Sequence, residues 1–251
     1  MNTDILIGIF IPFFGTVLGS GLVLFLKRDI IFYLEDFFTA VAGGIMTAAS
    51  VWSLIIPATE DSAHLGRFAF LPALVGITAG VLFMIYLGKT ADKAFSLISE
   101  GNTSTFLAVT IHNIPEGMAV GCVYAAAVQS GNESLFAAAL ALSVGIAVQN
   151  IPEGAVISLP LYAGGEGKLK SFVIGALSGI VEPLGAIAAL VMAGFIGALL
   201  PYFLTFAAGA MLYVVTEEML PEIKYDGRLP LRGIAFTVGF VIMMSLDVAL
   251  S

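Results

Sequence analysis

Two short segments hold most of the metal-binding chemistry in this 251-residue sequence. One reads His112-Asn113-Ile114-Pro115-Glu116-Gly117; the other reads Gln149-Asn150-Ile151-Pro152-Glu153-Gly154. They lie 37 residues apart and share five of six positions. In a helix, residues three or four apart share a face. His112 and Asn113 therefore flank Glu116, and Gln149 and Asn150 flank Glu153. Each segment presents a carboxylate between two ligand-type side chains. Pro115 and Pro152 each remove one backbone hydrogen bond, free the carbonyls of Ile111 and Val148, and kink the helix.

Both segments are embedded in apolar sequence. The chain is 59% hydrophobic and only 11% charged, with a mean hydropathy of +1.03. Soluble domains carry about 25% charged residues, so the bilayer is the expected solvent. A span needs about 20 mostly apolar residues. Eight candidates fit: residues 5–26, 37–57, 68–88, 103–128, 135–161, 172–200, 201–220 and 231–250. Pro201 is the expected break between the sixth and seventh. No loop is long enough for a soluble domain, so residues 1–251 read as one transmembrane transport domain.

The basic residues test the span count. With both termini outside, nine of the ten Lys and Arg fall in inner loops. These are Lys27, Arg28, Lys89, Lys93, Lys168, Lys170, Lys224, Arg228 and Arg232; only Arg67 falls outside. That asymmetry is the positive-inside pattern. The N-terminus lacks a basic leader, so no cleaved signal peptide is expected. Net charge is -8 without a basic run, so nucleic acid is not an expected partner. Cys122, the single cysteine, forms no intramolecular disulfide or thiolate cluster and reads as a packed small residue. Most of the 28 glycines read as sites of close helix approach.

Successive spans run antiparallel, so the two motif copies meet in opposite directions, as at a transporter's binding site. Glu182, in the sixth span, adds a third carboxylate. A charged side chain at mid-bilayer costs at least about 2.5–3.5 kcal/mol, and no Lys or Arg lies near mid-span. Either a proton or a cation must relieve the carboxylates, and a divalent cation is the simplest counter-charge. The same carboxylates would also suit a proton- or sodium-coupled carrier of another solute. An enzyme is not expected. The two histidines, His64 and His112, cannot form a metalloprotease helix face, and His112 has no serine partner.

These residues resemble the ZIP family of divalent metal transporters, and its bacterial GufA-like branch above all. The likeness covers essentially the whole chain. It implies an all-α membrane fold of eight helices with both termini extracytoplasmic and an inverted-repeat character. It also implies a homodimer, flow toward the cytoplasm and, for the bacterial branch, the inner membrane. One metal site would use His112, Glu116, Gln149 and Glu153. The other would use Asn113, Glu116, Asn150, Glu153 and Glu182. The metal is cargo rather than a cofactor. Gln149 stands where many relatives carry histidine, so the site is oxygen-rich. Zinc is expected, with iron, manganese and cadmium also accepted.

Met46, Ser53 and Glu60 recur every seven residues along one face of the second span. The resemblance puts these positions on the metal path, although Met46 alone would read as core filler. Glu60 and Asp247 lie at outer span ends and would gather cations. His64 and Asp61 read as solvated loop residues. At the inner end, Glu217, Glu218, Glu35 and Asp36 would either pass ions to the cytoplasm or sit as solvated helix ends. For Glu35 the solvated end is the better reading.

Overall fold

Apolar side chains cover much of the outside of this protein, and several carboxylates and amides lie inside it. Asn113, Glu116, Gln149, Asn150 and Glu182 are wholly buried, while Leu18, Phe25, Tyr86, Val191 and Val248 lie more than half exposed. A large exposed apolar surface around a core that holds buried carboxylates and amides belongs in lipid. A computed structural model describes residues 3–95, 103–192, 199–222 and 231–250. The side chains of 29–33, 35, 91–95, 103–109, 112, 218, 222 and 250 lie outside that description. So do Lys224 and Arg228, two of the basic residues in the orientation argument.

The described residues are helical almost throughout. The first span is α1 (Thr3–Phe25). The second is α2 (Arg28–Ala49), a π-helical turn over Ser50–Ile55 and α3 (Ile56–Asp61). A 3-10 turn, Ser62–Phe68, leads to α4 (Leu71–Phe95). The motif helices are α5 (Thr103–Ser130) and α6 (Glu133–Ala163). Both run through their motif prolines without a break. Next come α7 (Lys168–Ser178) and α8 (Val181–Val191). Then α9 (Leu200–Val214), a second π turn over Val215–Met219 and α10 (Leu220–Glu222) precede α11 (Leu231–Leu250).

Seven helical stretches among the described residues are long and apolar enough to cross a membrane. Alongside them, α5 has 28 residues, about 42 Å at 1.5 Å per residue, enough to span a hydrocarbon core of about 30 Å.

Several boundaries differ from the sequence reading, and helix α2 begins at Arg28, well before the span expected from residue 37. The third span starts at Leu71, because the 3-10 turn occupies 62–68. The seventh helix starts at Leu200, which puts Pro201 inside its first turn, where a missing N–H is harmless. The sixth span is two helices. Gly179 and Ile180 bond back three residues, to Ala176 and Leu177, which closes α7 just before Glu182.

One packing scheme occurs twice. α1 packs on α6 and α8 packs on α5; α2 packs on α11 and α9 packs on α4. The register is the same in both. Gly19 abuts the Ile151 carbonyl, and Gly185, 166 residues on, abuts that of Ile114, 37 residues back. Gly154 abuts the Thr16 carbonyl, and Gly117 abuts that of Glu182, at those same offsets. In the outer pairs, Gly44 meets the Phe236 carbonyl as Gly209 meets that of Ile77. Gly239 meets the Val41 carbonyl as Gly80 meets that of Phe206. A Cβ at most of these glycines would overlap a backbone oxygen, so the close crossings depend on its absence. The two π turns also fall 165 residues apart, at equivalent places in α2–α3 and α9–α10.

Candidate metal centre

Glu116 and Glu153 sit one turn beyond the amides of their motifs, on the inward faces of α5 and α6. The Gln149 amide nitrogen donates to Glu116 Oε1 at 2.6 Å and to Glu153 Oε1 at 3.3 Å. The second contact is the i to i+4 neighbour expected from the sequence. The first bridges the two motif helices.

The asparagines behave differently. Asn113 donates to Glu182 Oε1 at 3.3 Å, and Asn150 donates to Glu182 Oε2 at 2.7 Å. Both turn from the glutamate of their own motif to the carboxylate of α8. Each also bonds a backbone carbonyl across a helix interface: Asn113 that of Ser178 at 3.4 Å, and Asn150 that of Pro12 at 3.3 Å. Ser178 and Pro12 are 166 residues apart, so this bond too is repeated.

Glu182 lies in the first turn of α8. The positive end of a helix dipole favours a carboxylate there. The break after Ser178 is what places it so. Thr16 of α1 adds a donor to Oε1 at 2.9 Å. No sequence signal separated Thr16 from the many hydroxyls of the spans. Its role becomes visible only when α1 lies against α8.

The donor set has a consistent polarity. All three amide nitrogens face carboxylates, so the amide oxygens face away. Glu116 Oε2, Gln149 Oε1, Asn113 Oδ1 and Asn150 Oδ1 are buried without a hydrogen-bond partner. A buried polar atom left unpaired costs about 1–3 kcal/mol. Four such oxygens in one cluster are a poor arrangement for a closed core and a good one for receiving a cation. The Gln149 amide joins Glu116 to Glu153, and the two asparagine amides converge on Glu182. Among the described residues, no Lys or Arg bonds Glu116 or Glu182. His112 lies in α5 with its side chain outside the described residues, so its place in the centre is not part of this geometry.

The path residues separate into two groups. Ser53 donates to Asp247 Oδ1 at 2.6 Å, joining the second and last spans. Asp247 Oδ2 has no partner. Met46 is fully buried. Glu60, Asp61 and His64 are exposed, and the His64 ring bonds the Asp61 carbonyl at 2.9 Å. At the inner end Glu217 is exposed, while the side chains of Glu35 and Glu218 lie outside the described residues. Asp36 accepts from Arg232 at 3.2 Å. Cys122 is buried and unbridged, as expected.

A lipid-suited helical bundle with oxygen donors gathered at its centre is the architecture of a membrane transporter for cations. Comparison with known proteins specifies which kind. The profile of the family described as "ZIP Zinc transporter" matches residues 89–247. The chain is 32% identical to Zinc transporter ZIP11 of Homo sapiens over an alignment of 335 positions, covering 98% of this chain and 96% of that one. It is 37% identical to Zinc transporter GufA of Myxococcus xanthus over 213 residues, covering 79% and 80%. With Zinc transporter ZIPB of Bordetella bronchiseptica it shares 32% over 250 residues, covering 95% and 78%. The chain belongs to the ZIP family, whose members are transporters rather than enzymes.

Proposed function

We propose that this protein carries divalent metal ions into the cytoplasm, with zinc the principal cargo and iron, manganese and cadmium also accepted. The ions pass through a two-metal centre built on α5, α6 and α8. One ion is held by His112, Glu116, Gln149 and Glu153. The other is held by Asn113, Glu116, Asn150, Glu153 and Glu182, and the two motif glutamates bridge. The observation that carries this reading is the set of three buried amide oxygens without partners, with Glu116 Oε2, among three buried carboxylates. Zinc is supported by the names of the relatives. The wider range follows from Gln149, which supplies an amide oxygen where a second imidazole would favour zinc.

In this reading the single transport domain has eight spans, with α5 among them and both termini outside. The twofold packing scheme then becomes an inverted repeat, since α1 and α7–α8 cross in opposite directions. Ser53 and Asp247 line the outer approach with Met46 beneath them. Glu60 lies further out, and Glu217 and Glu218 lie at the inner end. The protein works as a homodimer in a bacterial inner membrane.

Flux into liposomes holding the purified chain tests the reading. Zinc should enter, and manganese, iron and cadmium should compete. Entry of zinc alone, without competition, would sink the selectivity. Divalent-metal flux left intact by both Glu116→Ala and Glu153→Ala would sink the centre and favour a carrier of another solute.

A further inference from the structure

We propose that Thr16 is a positioning residue for metal binding: its hydroxyl fixes the Glu182 carboxylate in the orientation the second ion requires. The proposal rests on the two-metal reading above. It adds a residue from the first helix that belongs to neither motif.

Four observations carry it. First, Thr16 is wholly buried, and a threonine has a single hydrogen to donate. In membrane helices that hydrogen ordinarily returns to the carbonyl four residues back. Thr47, Ser50, Thr78 and Thr237 use theirs in that way here. Thr16 directs its hydrogen across the α1–α8 interface to Glu182 Oε1 at 2.9 Å.

Second, the other side-chain donors to Glu182 among the described residues are Asn113 and Asn150, both ligands of the second ion in the proposed centre. Turning an amide oxygen onto an ion moves its nitrogen too. Thr16 is the tie to Glu182 that no ion recruits. Its branched side chain also has few rotamers in a helix, so the bond is directional.

Third, the backbone leaves room for this contact. A Cβ at Gly179 would lie 2.7 Å from Thr16 Oγ1 and 2.8 Å from Glu182 Oε1. The glycine at the break between α7 and α8 therefore lets acid and hydroxyl meet.

Fourth, Thr16 and Glu182 are 166 residues apart, the offset that relates α1 to α8 throughout the repeated packing. Thr16 occupies in the α1–α6 pair the place that Glu182 occupies in the α8–α5 pair. The two equivalent positions touch, and one holds the acid while the other holds its donor.

The test compares Thr16→Val, which keeps the shape and removes the hydroxyl, with Thr16→Ser, which keeps the hydroxyl. Zinc binding to the full-length protein in detergent is followed by titration calorimetry, and flux is measured in liposomes. Losing a group that orients a ligand weakens metal binding by about tenfold or more. Thr16→Val should therefore weaken one of two binding events by about tenfold and leave the other unchanged. It should raise KM more than it lowers maximal flux, and Thr16→Ser should match the unaltered protein. If Thr16→Val does not fold, Thr16→Ala against Thr16→Ser makes the same comparison. Equal affinities with and without the hydroxyl, within twofold, overturn the proposal. Glu182→Gln is titrated in parallel. If it binds both ions as the unaltered protein does, the centre itself is misassigned and the role of Thr16 falls with it.

Discussion

The α1–α6 pair and the α8–α5 pair share a backbone arrangement and differ in chemistry. Gly19 on Ile151 matches Gly185 on Ile114, and Gly154 on Thr16 matches Gly117 on Glu182. Asn150 reaches Pro12 as Asn113 reaches Ser178. Against that common frame, few side chains at the centre depart from the pattern. Gln149 answers His112, and Thr16 answers Glu182. Helix α1 is continuous, whereas its counterpart breaks at Gly179. The lesson is that a symmetric frame can hold an asymmetric site. Backbone packing fixes where the donors stand, and single substitutions decide what each position offers an ion.

The largest effects should come from the positions where the halves agree. Glu116→Ala and Glu153→Ala occupy equivalent places. Both glutamates would bridge the ions of the proposed centre, so each substitution should lower zinc flux in liposomes by about a hundredfold. A tenfold difference between the two variants would break the equivalence.

The helix crossings come next. A Cβ at Gly19 overlaps the Ile151 carbonyl, whereas one at Gly185 stands 2.8 Å from that of Ile114. Overpacking costs about 1–3 kcal/mol, so Gly19→Ala should be the more destabilising of the two. Thermal melting in detergent reads the order, and equal loss at both sites would show that α1 and α8 relax alike.

Selectivity is a smaller effect. Gln149→His makes the two motifs identical and adds an imidazole. The preference for zinc over manganese should rise by about tenfold, measured by competition in flux assays. An unchanged ratio would detach selectivity from this position.

The smallest change is expected at the periphery. Asp36 and Arg232 have side chains about a third and a quarter exposed, and such pairs contribute about 0–1 kcal/mol. Arg232→Gln should leave zinc flux within twofold. A large loss there would give the inner rim a part in transport.

Much of this was legible in the residues. Helical spans follow from apolar runs because lipid offers no partner to a bare backbone. The motifs announce themselves because carboxylates and amides are so rarely placed in apolar helices. Glu182 was legible for the same reason. The grouping of these donors came from the family resemblance and not from helical spacing. Helical spacing pairs Asn113 with Glu116 and Asn150 with Glu153, yet both asparagines bond Glu182, because a neighbouring helix presented a better acceptor. The break before Glu182 was hidden within an unbroken apolar run, and Thr16 had nothing in its surroundings to mark it.

The sequence by itself determined which chemical groups enter the bilayer and on which helices, since burial in lipid is decided by composition over about 20 residues. Only the tertiary structure decided which of those groups face one another. That depends on glycines letting helices approach to backbone contact, and such contacts link residues as far apart as Thr16 and Glu182.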